Sequence, residues 1–129
     1  MFLKFKTTEE RRAYGGSDFM ELQYCTLLDD TSNKKIIDAE IHHWQLSSLY
    51  VFGDDFGEFY AEYGEIIGDG LYGNLKEGSV DFYGINYYNR EKTAKIIDRL
   101  KECKPKGYEV LLEWLLGGSS HNGFYILGE

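Results

Sequence analysis

Residues at helical spacing predict two consecutive helices in the last third of the chain. The stripe that faces one side of the first helix consists of Thr93, Ile96, Ile97, Leu100 and Cys103. Asn89 is suited to cap the start of this helix, and Pro105 prevents its continuation, which predicts a helix over 90–103. A second apolar stripe begins at Tyr108 and stops at a pair of glycines, which predicts a helix over 108–116.

Runs rich in β-branched and aromatic residues predict the strands that accompany these helices. Val80–Tyr88 is apolar on both faces and is expected to be a central strand. Phe19–Leu28 alternates, with Met20, Leu22, Tyr24 and Leu28 on one side and Glu21, Gln23 and Cys25 on the other, which predicts a half-buried strand. The other two predicted strands are residues 2–6, at an edge of the sheet, and residues 123–127.

Residues 36–52 fit two patterns. The alternation of Ile37, Ala39, Ile41 and His43 is typical of a strand, whereas the spacing of Ile36, Ile37, Ile41 and Trp44 also fits a helix. Strands broken near residues 45–48 are favoured. The resulting prediction is an α+β fold with a mainly antiparallel sheet of about five strands and the helices 90–103 and 108–116 packed on one face.

A third predicted helix, over about 55–67, carries an acidic stripe opposite its apolar face. The stripe consists of Asp55, Glu58, Glu62 and Glu65. Like charges one turn apart destabilise a helix by roughly 0.2–0.5 kcal/mol per pair, and Glu62 and Glu65 lie too far from the N-terminus to be stabilised by the helix dipole. The stripe therefore has two interpretations, a solvated face that keeps the protein soluble or a docking surface for a basic partner.

Length and composition are typical of one small globular domain. The chain has 129 residues, one proline and no low-complexity run, which predicts a single domain over 1–129. The first residues lack the apolar region of a signal peptide, and no apolar run is long enough to span a bilayer, which predicts a cytoplasmic protein without a membrane segment. Cys25 and Cys103 lie in apolar patterns and are expected to be small core residues.

The net charge of −8 is unevenly distributed along the chain. Residues 36–88 carry ten acids against the single base Lys76, whereas residues 89–106 carry seven bases against three acids. An acidic middle is typical of a protein that meets a basic partner. Direct binding of nucleic acid by the basic helix is disfavoured, because acids are interspersed in it and the total charge is negative.

Three motifs are typical of catalytic or ligand-binding sites, but the predicted structure around each of them does not fit such a site. Gly68–Gly73 matches G-x-G-x-x-G, yet a helix is expected before it and a loop after it, the reverse of a dinucleotide site. His42 and His43 would point to opposite faces of a strand and could not share a metal ion. His121 lies beside two serines without a recognisable third partner. The sequence therefore predicts no catalytic, cofactor or metal site, and a protein that is not an enzyme.

The predicted partner-binding surface combines the acidic stripe with flanking residues. Its residues are Tyr50, Asp55, Glu58, Glu62, Glu65, Asp69 and Tyr72. Carboxylates attract a basic partner over a distance, and tyrosines supply stiff, amphipathic contact area once the partner has arrived.

In its size, its α+β class and its acidic, aromatic stretch from Tyr50 to Tyr72, the chain resembles the small acidic immunity proteins of bacterial toxin systems, including those of contact-dependent inhibition. This resemblance implies tight binding to one basic toxin domain, often a nuclease, by covering its active site. No residue is carried over from a family motif. The alternative is a small-molecule-binding or enzymatic α+β domain with a pocket between sheet and helices, around His43 or His121.

Overall fold

A seven-stranded antiparallel sheet organises residues 1–128, which are the residues that the computed structural model describes. Its strands are β1 (Phe2–Leu3), β2 (Phe19–Tyr24), β3 (Leu49–Phe52), β4 (Gly70–Leu71), β5 (Glu77–Gly78), β6 (Ile85–Tyr88) and β7 (Phe124–Leu127). They lie in the order β1-β3-β2-β7-β6-β4-β5. The α+β class and the antiparallel sheet are confirmed. The strand number exceeds the prediction because β4 and β5 are two-residue strands within a glycine-rich connection.

Five α-helices accompany the sheet in the described part of the chain. They are α1 (Thr8–Gly15), α2 (Asn33–Asp38), α3 (Phe56–Tyr63), α4 (Arg90–Cys103) and α5 (Tyr108–Gly117). A short 3-10 turn, Gly53–Asp55, leads into α3. The start of α4 is fixed as its sequence predicts, because the side chain of Asn89 accepts a hydrogen bond of 2.8 Å from the Lys92 N–H. None of the helices in residues 1–128 has the length and apolar character required to cross a bilayer.

The larger core lies between one face of the sheet and the helices α3, α4 and α5. Tyr88 on β6 is fully buried there, stacks on Phe124 of β7 at a centroid distance of 4.8 Å and donates a 2.8 Å hydrogen bond to the Ile67 carbonyl. Other buried side chains of this core are Met20, Leu22, Val51, Phe59, Ile96, Leu100, Trp114 and Ile126. The central strands and the three helices therefore share one apolar layer.

The second face of the sheet is also buried, which the alternation of β2 does not predict. Ile36 and Ile37 of α2 pack with Tyr87, Tyr125 and neighbouring side chains, while Phe5, Phe19 and Tyr50 form a further cluster under the N-terminal residues. Glu21 and Gln23, which lie on the opposite side of β2 from Met20 and Leu22, are consequently buried as well. The prediction of a half-buried strand is wrong because a local pattern does not report what covers its polar side.

Five predicted elements have different bounds in the structure. The strands β1 and β2 are shorter than predicted, since they cover residues 2–3 and 19–24 instead of 2–6 and 19–28. Residues 33–38 form α2, capped by the Ser32 hydroxyl, instead of the favoured strand, and the strand of this region begins only at Leu49. Val80–Tyr88 forms a strand only over its last four residues, because the side chain of Asn86 accepts from the Asp81 N–H at 2.8 Å and donates to the Asp81 carbonyl at 2.9 Å, closing a turn. The helix α3 ends at Tyr63 and continues as turns to residue 69.

The two cysteines differ in environment. Cys25 is buried, as predicted, whereas Cys103 is exposed at the end of α4, so its assignment to the core is wrong. Cys103 is the last residue of α4, and Leu100, one turn earlier on the same stripe, is the last residue of this helix that is buried in the core.

Candidate functional site

The predicted acidic stripe lies on the outer face of α3 and on the turns that flank it. Phe59 and Tyr63 bury the inner face of this helix in the larger core, which leaves Glu58, Glu62 and Glu65 exposed to solvent. Asp55, before the helix, and Asp69, after it, are half-buried. The fold therefore brings these five acids together along one side of the molecule.

Cations from α4 and from the connection after it neutralise part of this charge. Lys106 Nζ lies 2.6 Å from Glu58 Oε1, and the Lys106 N–H donates to Glu62 Oε1 at 2.9 Å. Arg99 Nη1 donates to the Ile66 carbonyl at 2.8 Å and lies 3.7 Å from Asp69 Oδ1. Residues 54–69 contain six carboxylates, so these two cations leave four negative charges. The basic helix and the acidic middle thus meet within the molecule, and the stripe stays acidic.

The contact between Lys106 and Glu58 shifts the pKa of both side chains. The hydrogen bond and the attraction between them raise the pKa of the Lys106 ammonium and lower the pKa of the Glu58 carboxyl. Both groups are fully exposed, so solvent screening keeps their contribution to the stability of the fold small.

Glu58→Gln is therefore expected to lower the pKa of Lys106 towards its ordinary value, because the main cause of the upward shift is removed. An NMR titration that follows the Lys106 side chain measures this change. Glu113→Gln, a substitution on the exposed side of α5, serves as the matched control and should leave Lys106 unchanged. A Lys106 pKa that is the same with and without the Glu58 carboxylate would show that the pair does not form in solution.

Of the two tyrosines predicted for the surface, one is buried and the other is half-buried. Tyr50 is 0% exposed, and its hydroxyl donates to Glu21 Oε2 at 3.3 Å, so it lies in the interior and not at the predicted surface. Tyr72 is half-buried, and its hydroxyl donates to the Ser79 carbonyl. Tyr50 belongs to the cluster on the second face of the sheet because its neighbours Leu49 and Val51 point into the larger core and successive side chains of a strand alternate between faces.

Other aromatic side chains lie beside the acidic stripe. Tyr60 of α3 is 48% exposed, and Tyr83 in the turn before β6 is 79% exposed. The ring of Phe82 lies 5.9 Å from that of Tyr60 and 5.3 Å from that of Phe56, which fixes the turn against the helix. Sequence reasoning misses them, because Tyr60 fits the apolar stripe of its helix and residues 82–83 fit a strand. The only indication in the sequence is that the apolar stripe of α3, which includes Tyr60, is wider than burial against the core requires.

A groove of about 530 Å³ lies at the C-terminal end of α3 and over the turns that follow it. Tyr60, Glu62 and Glu65 line it together with Ser79 and Cys103. The term α3 surface is used below for the residues that border this groove and the adjacent turn, namely Tyr60, Glu62, Glu65, Phe82 and Tyr83. Two exposed carboxylates and an exposed tyrosine therefore share one concave surface.

A buried glutamate on the second face of the sheet is the most polar feature of the interior. Glu21 is 2% exposed; its Oε1 accepts from the Trp44 N–H at 2.7 Å, and its Oε2 accepts from the Ser48 hydroxyl at 2.7 Å and from Gln23 Nε2 at 2.9 Å. These donors satisfy the carboxylate and attach residues 44–48 to the sheet. Glu21 therefore has a structural role, since it fixes the position of the connection that precedes β3.

Two of the three histidines, His43 and His121, lie at the rims of cavities. His43 is exposed in the connection before β3 and borders a cavity of about 330 Å³ with Glu21 and Arg11; its Nδ1 lies 3.8 Å from Glu21 Oε1, too far for a hydrogen bond. His42 is exposed, and neither histidine belongs to a strand. His121 borders an apolar pocket between α4, α5 and the sheet. No group of three or more potential metal-binding side chains occurs among residues 1–128.

The fold and surface define a small α+β protein with one antiparallel sheet and an acidic, aromatic groove on a helix. No family model, no curated protein and no solved structure gives a significant match to the chain.

Proposed function

We propose that the chain is a protein-binding module of the immunity type, which neutralises a basic partner such as a toxin nuclease by docking through the α3 surface. The observation that supports this most strongly is the presence of Glu62, Glu65 and Tyr60 on the same concave surface. Glu62 and Glu65 belong to the four carboxylates of residues 54–69 that are outside the two ion pairs, so they give this surface a negative charge. Lysine and arginine side chains of a partner are the groups that this charge attracts.

The two kinds of residue on the α3 surface have different roles in the proposed complex. Glu62 and Glu65 accelerate the encounter, because opposite charges steer a basic partner over distances of about one Debye length. Tyr60, Phe82 and Tyr83 slow dissociation, because buried aromatic side chains contribute most of the free energy of typical interfaces. The ion pair between Glu58 and Lys106 lies at the margin and remains solvated, so its contribution to affinity is small.

Capture from an extract of the source organism tests this proposal. The tagged protein is incubated at low and at moderate salt, and the stoichiometric partner is identified by mass spectrometry. We expect one basic protein whose recovery falls as salt rises, and whose recovery falls at low salt when the bait carries Glu62→Lys and Glu65→Lys. The matched bait carries Asp30→Lys and Glu40→Lys, the same charge change at two exposed acids outside the groove, and should retain the partner.

The captured protein must then act as a toxin that the chain neutralises. Expression of the partner alone is expected to stop growth, and co-expression of this chain is expected to restore it. Capture of no basic partner by a folded bait, or a partner that both double variants retain equally, would contradict the proposed role of the α3 surface.

A further inference from the structure

The apolar pocket beside His121 lies where α4, the end of α5 and the sheet meet. Its volume is about 190 Å³, and its apolar lining consists of Ala94, Ile97, Leu115 and Phe124, with Tyr24 at one side. It shares no residue with the groove on α3. An engineered apolar cavity of roughly 150 Å³ in another protein binds benzene, so a volume of this size is sufficient for a single ring.

Stacked rings make one wall of the pocket rigid. Tyr24 lies between Trp114, at a centroid distance of 4.1 Å, and His121, at 4.9 Å, and both pairs are close to parallel. The Tyr24 hydroxyl donates to the Trp114 carbonyl at 2.6 Å, which fixes the ring in its plane. The imidazole of His121 is thereby held at the rim, where it is partly exposed and can donate or accept a hydrogen bond.

Arg90, the charged residue at the rim of the pocket, already has hydrogen-bond partners within the protein. Arg90 Nε and Nη2 donate to Asp29 Oδ1 at 3.1 and 2.8 Å, and its Nη1 and Nη2 also donate to the carbonyls of Ser119 and Ser120. A carboxylate ligand would have to displace Asp29 from this arrangement, and a cationic ligand would be repelled by the guanidinium. The electrostatics of the rim therefore favour a neutral molecule.

We propose that this pocket binds a small neutral molecule of single-ring size that carries one hydrogen-bonding group, with its ring against Ile97, Leu115 and Phe124 and its polar group at His121. The proposal is independent of the function proposed for the α3 surface. We expect dissociation constants of about 10 µM to 1 mM, because a single-ring molecule has few heavy atoms that can contribute binding free energy.

Titration of the ¹⁵N-labelled chain with phenol, toluene, benzoate and benzylammonium tests the proposal by NMR. We expect shifts of the amides around the pocket, phenol to bind roughly threefold or more tighter than toluene because of its hydroxyl, and the two charged probes to bind more weakly than phenol. His121→Ala is expected to abolish the preference for phenol over toluene, because the phenol hydroxyl loses its hydrogen-bond partner.

A variant that fills the pocket supplies the second arm of the test. Ala94 is exposed on α4 and borders the pocket, so Ala94→Leu, or Ala94→Met if the first variant folds poorly, should weaken phenol binding by about tenfold or more. Ala13→Leu, at an exposed position of α1, is the matched control and should leave binding unchanged. Absence of pocket shifts at about 10 mM phenol, or phenol affinity that is unchanged by both Ala94 variants, would overturn the proposal.

Discussion

Gly123→Ala is expected to lower the free energy of unfolding by at least about 3 kcal/mol. Gly123 precedes β7 with φ of +76°, a conformation that residues with a Cβ rarely adopt. A Cβ at this position would also overlap the backbone oxygen of Tyr88 on the neighbouring strand. The substitution therefore forces β6 and β7 apart where Tyr88 is paired with Phe124, in the centre of the sheet.

Urea denaturation followed by circular dichroism measures this loss. Gly57→Ala is the matched control, because Gly57 lies on the exposed side of α3 and an added Cβ would meet no atom within 4 Å. This control should raise the free energy of unfolding by about 0.5–1 kcal/mol, since alanine favours a helix over glycine. A Gly123→Ala protein as stable as the unmodified chain would contradict the pairing of β6 with β7 described here.

Glu62→Lys combined with Glu65→Lys is expected to slow association with the basic partner roughly tenfold or more at low salt. The two substitutions change the charge of the groove by four units, and Glu62→Lys also removes the hydrogen bond that Glu62 accepts from the Lys106 N–H. The dependence of the association rate on salt should become flatter, because fewer opposite charges act over a distance. Surface plasmon resonance at several salt concentrations measures both quantities on the purified pair.

Tyr60→Ala separates the aromatic contribution from the electrostatic one. It should raise the dissociation rate roughly tenfold while changing the association rate little, because a buried interface tyrosine typically contributes more than 1 kcal/mol. Asp30→Lys with Glu40→Lys, the charge control outside the groove, should alter neither rate appreciably. If the Glu62 and Glu65 substitutions changed the rates no more than this control, the acidic stripe would be a solubility feature.

Much of the fold follows from local sequence patterns, and the strongest patterns predict the bounds of their elements most accurately. In α4 the cap, the apolar spacing and the terminating proline act on the same residues and determine its bounds. In α2 the pattern is ambiguous, because two adjacent isoleucines fit a strand and a helix equally well. The Ser32 cap is a local signal for the helix, but the burial of Ile36 and Ile37 against the second face of the sheet also stabilises it, and that contact is not encoded locally.

The candidate site is less predictable, because long-range contacts decide which side chains remain available. The acidic spacing of α3 predicts where the negative charge lies, but Lys106 and Arg99, more than thirty residues away, neutralise part of it. Glu21 is buried because donors from residues 44–48 converge on it. Tyr83 is exposed because the side chain of Asn86 closes a turn where the composition favours a strand.

The activity of the purified partner in the presence of equimolar chain tests the central claim most directly. If the α3 surface covers the active site of a basic toxin, the unmodified chain abolishes that activity, and the chain with Glu62→Lys and Glu65→Lys leaves most of it intact at the same concentration. The Asp30→Lys and Glu40→Lys chain should inhibit as well as the unmodified one. Equal inhibition by all three chains, or inhibition by none of them, would contradict the account.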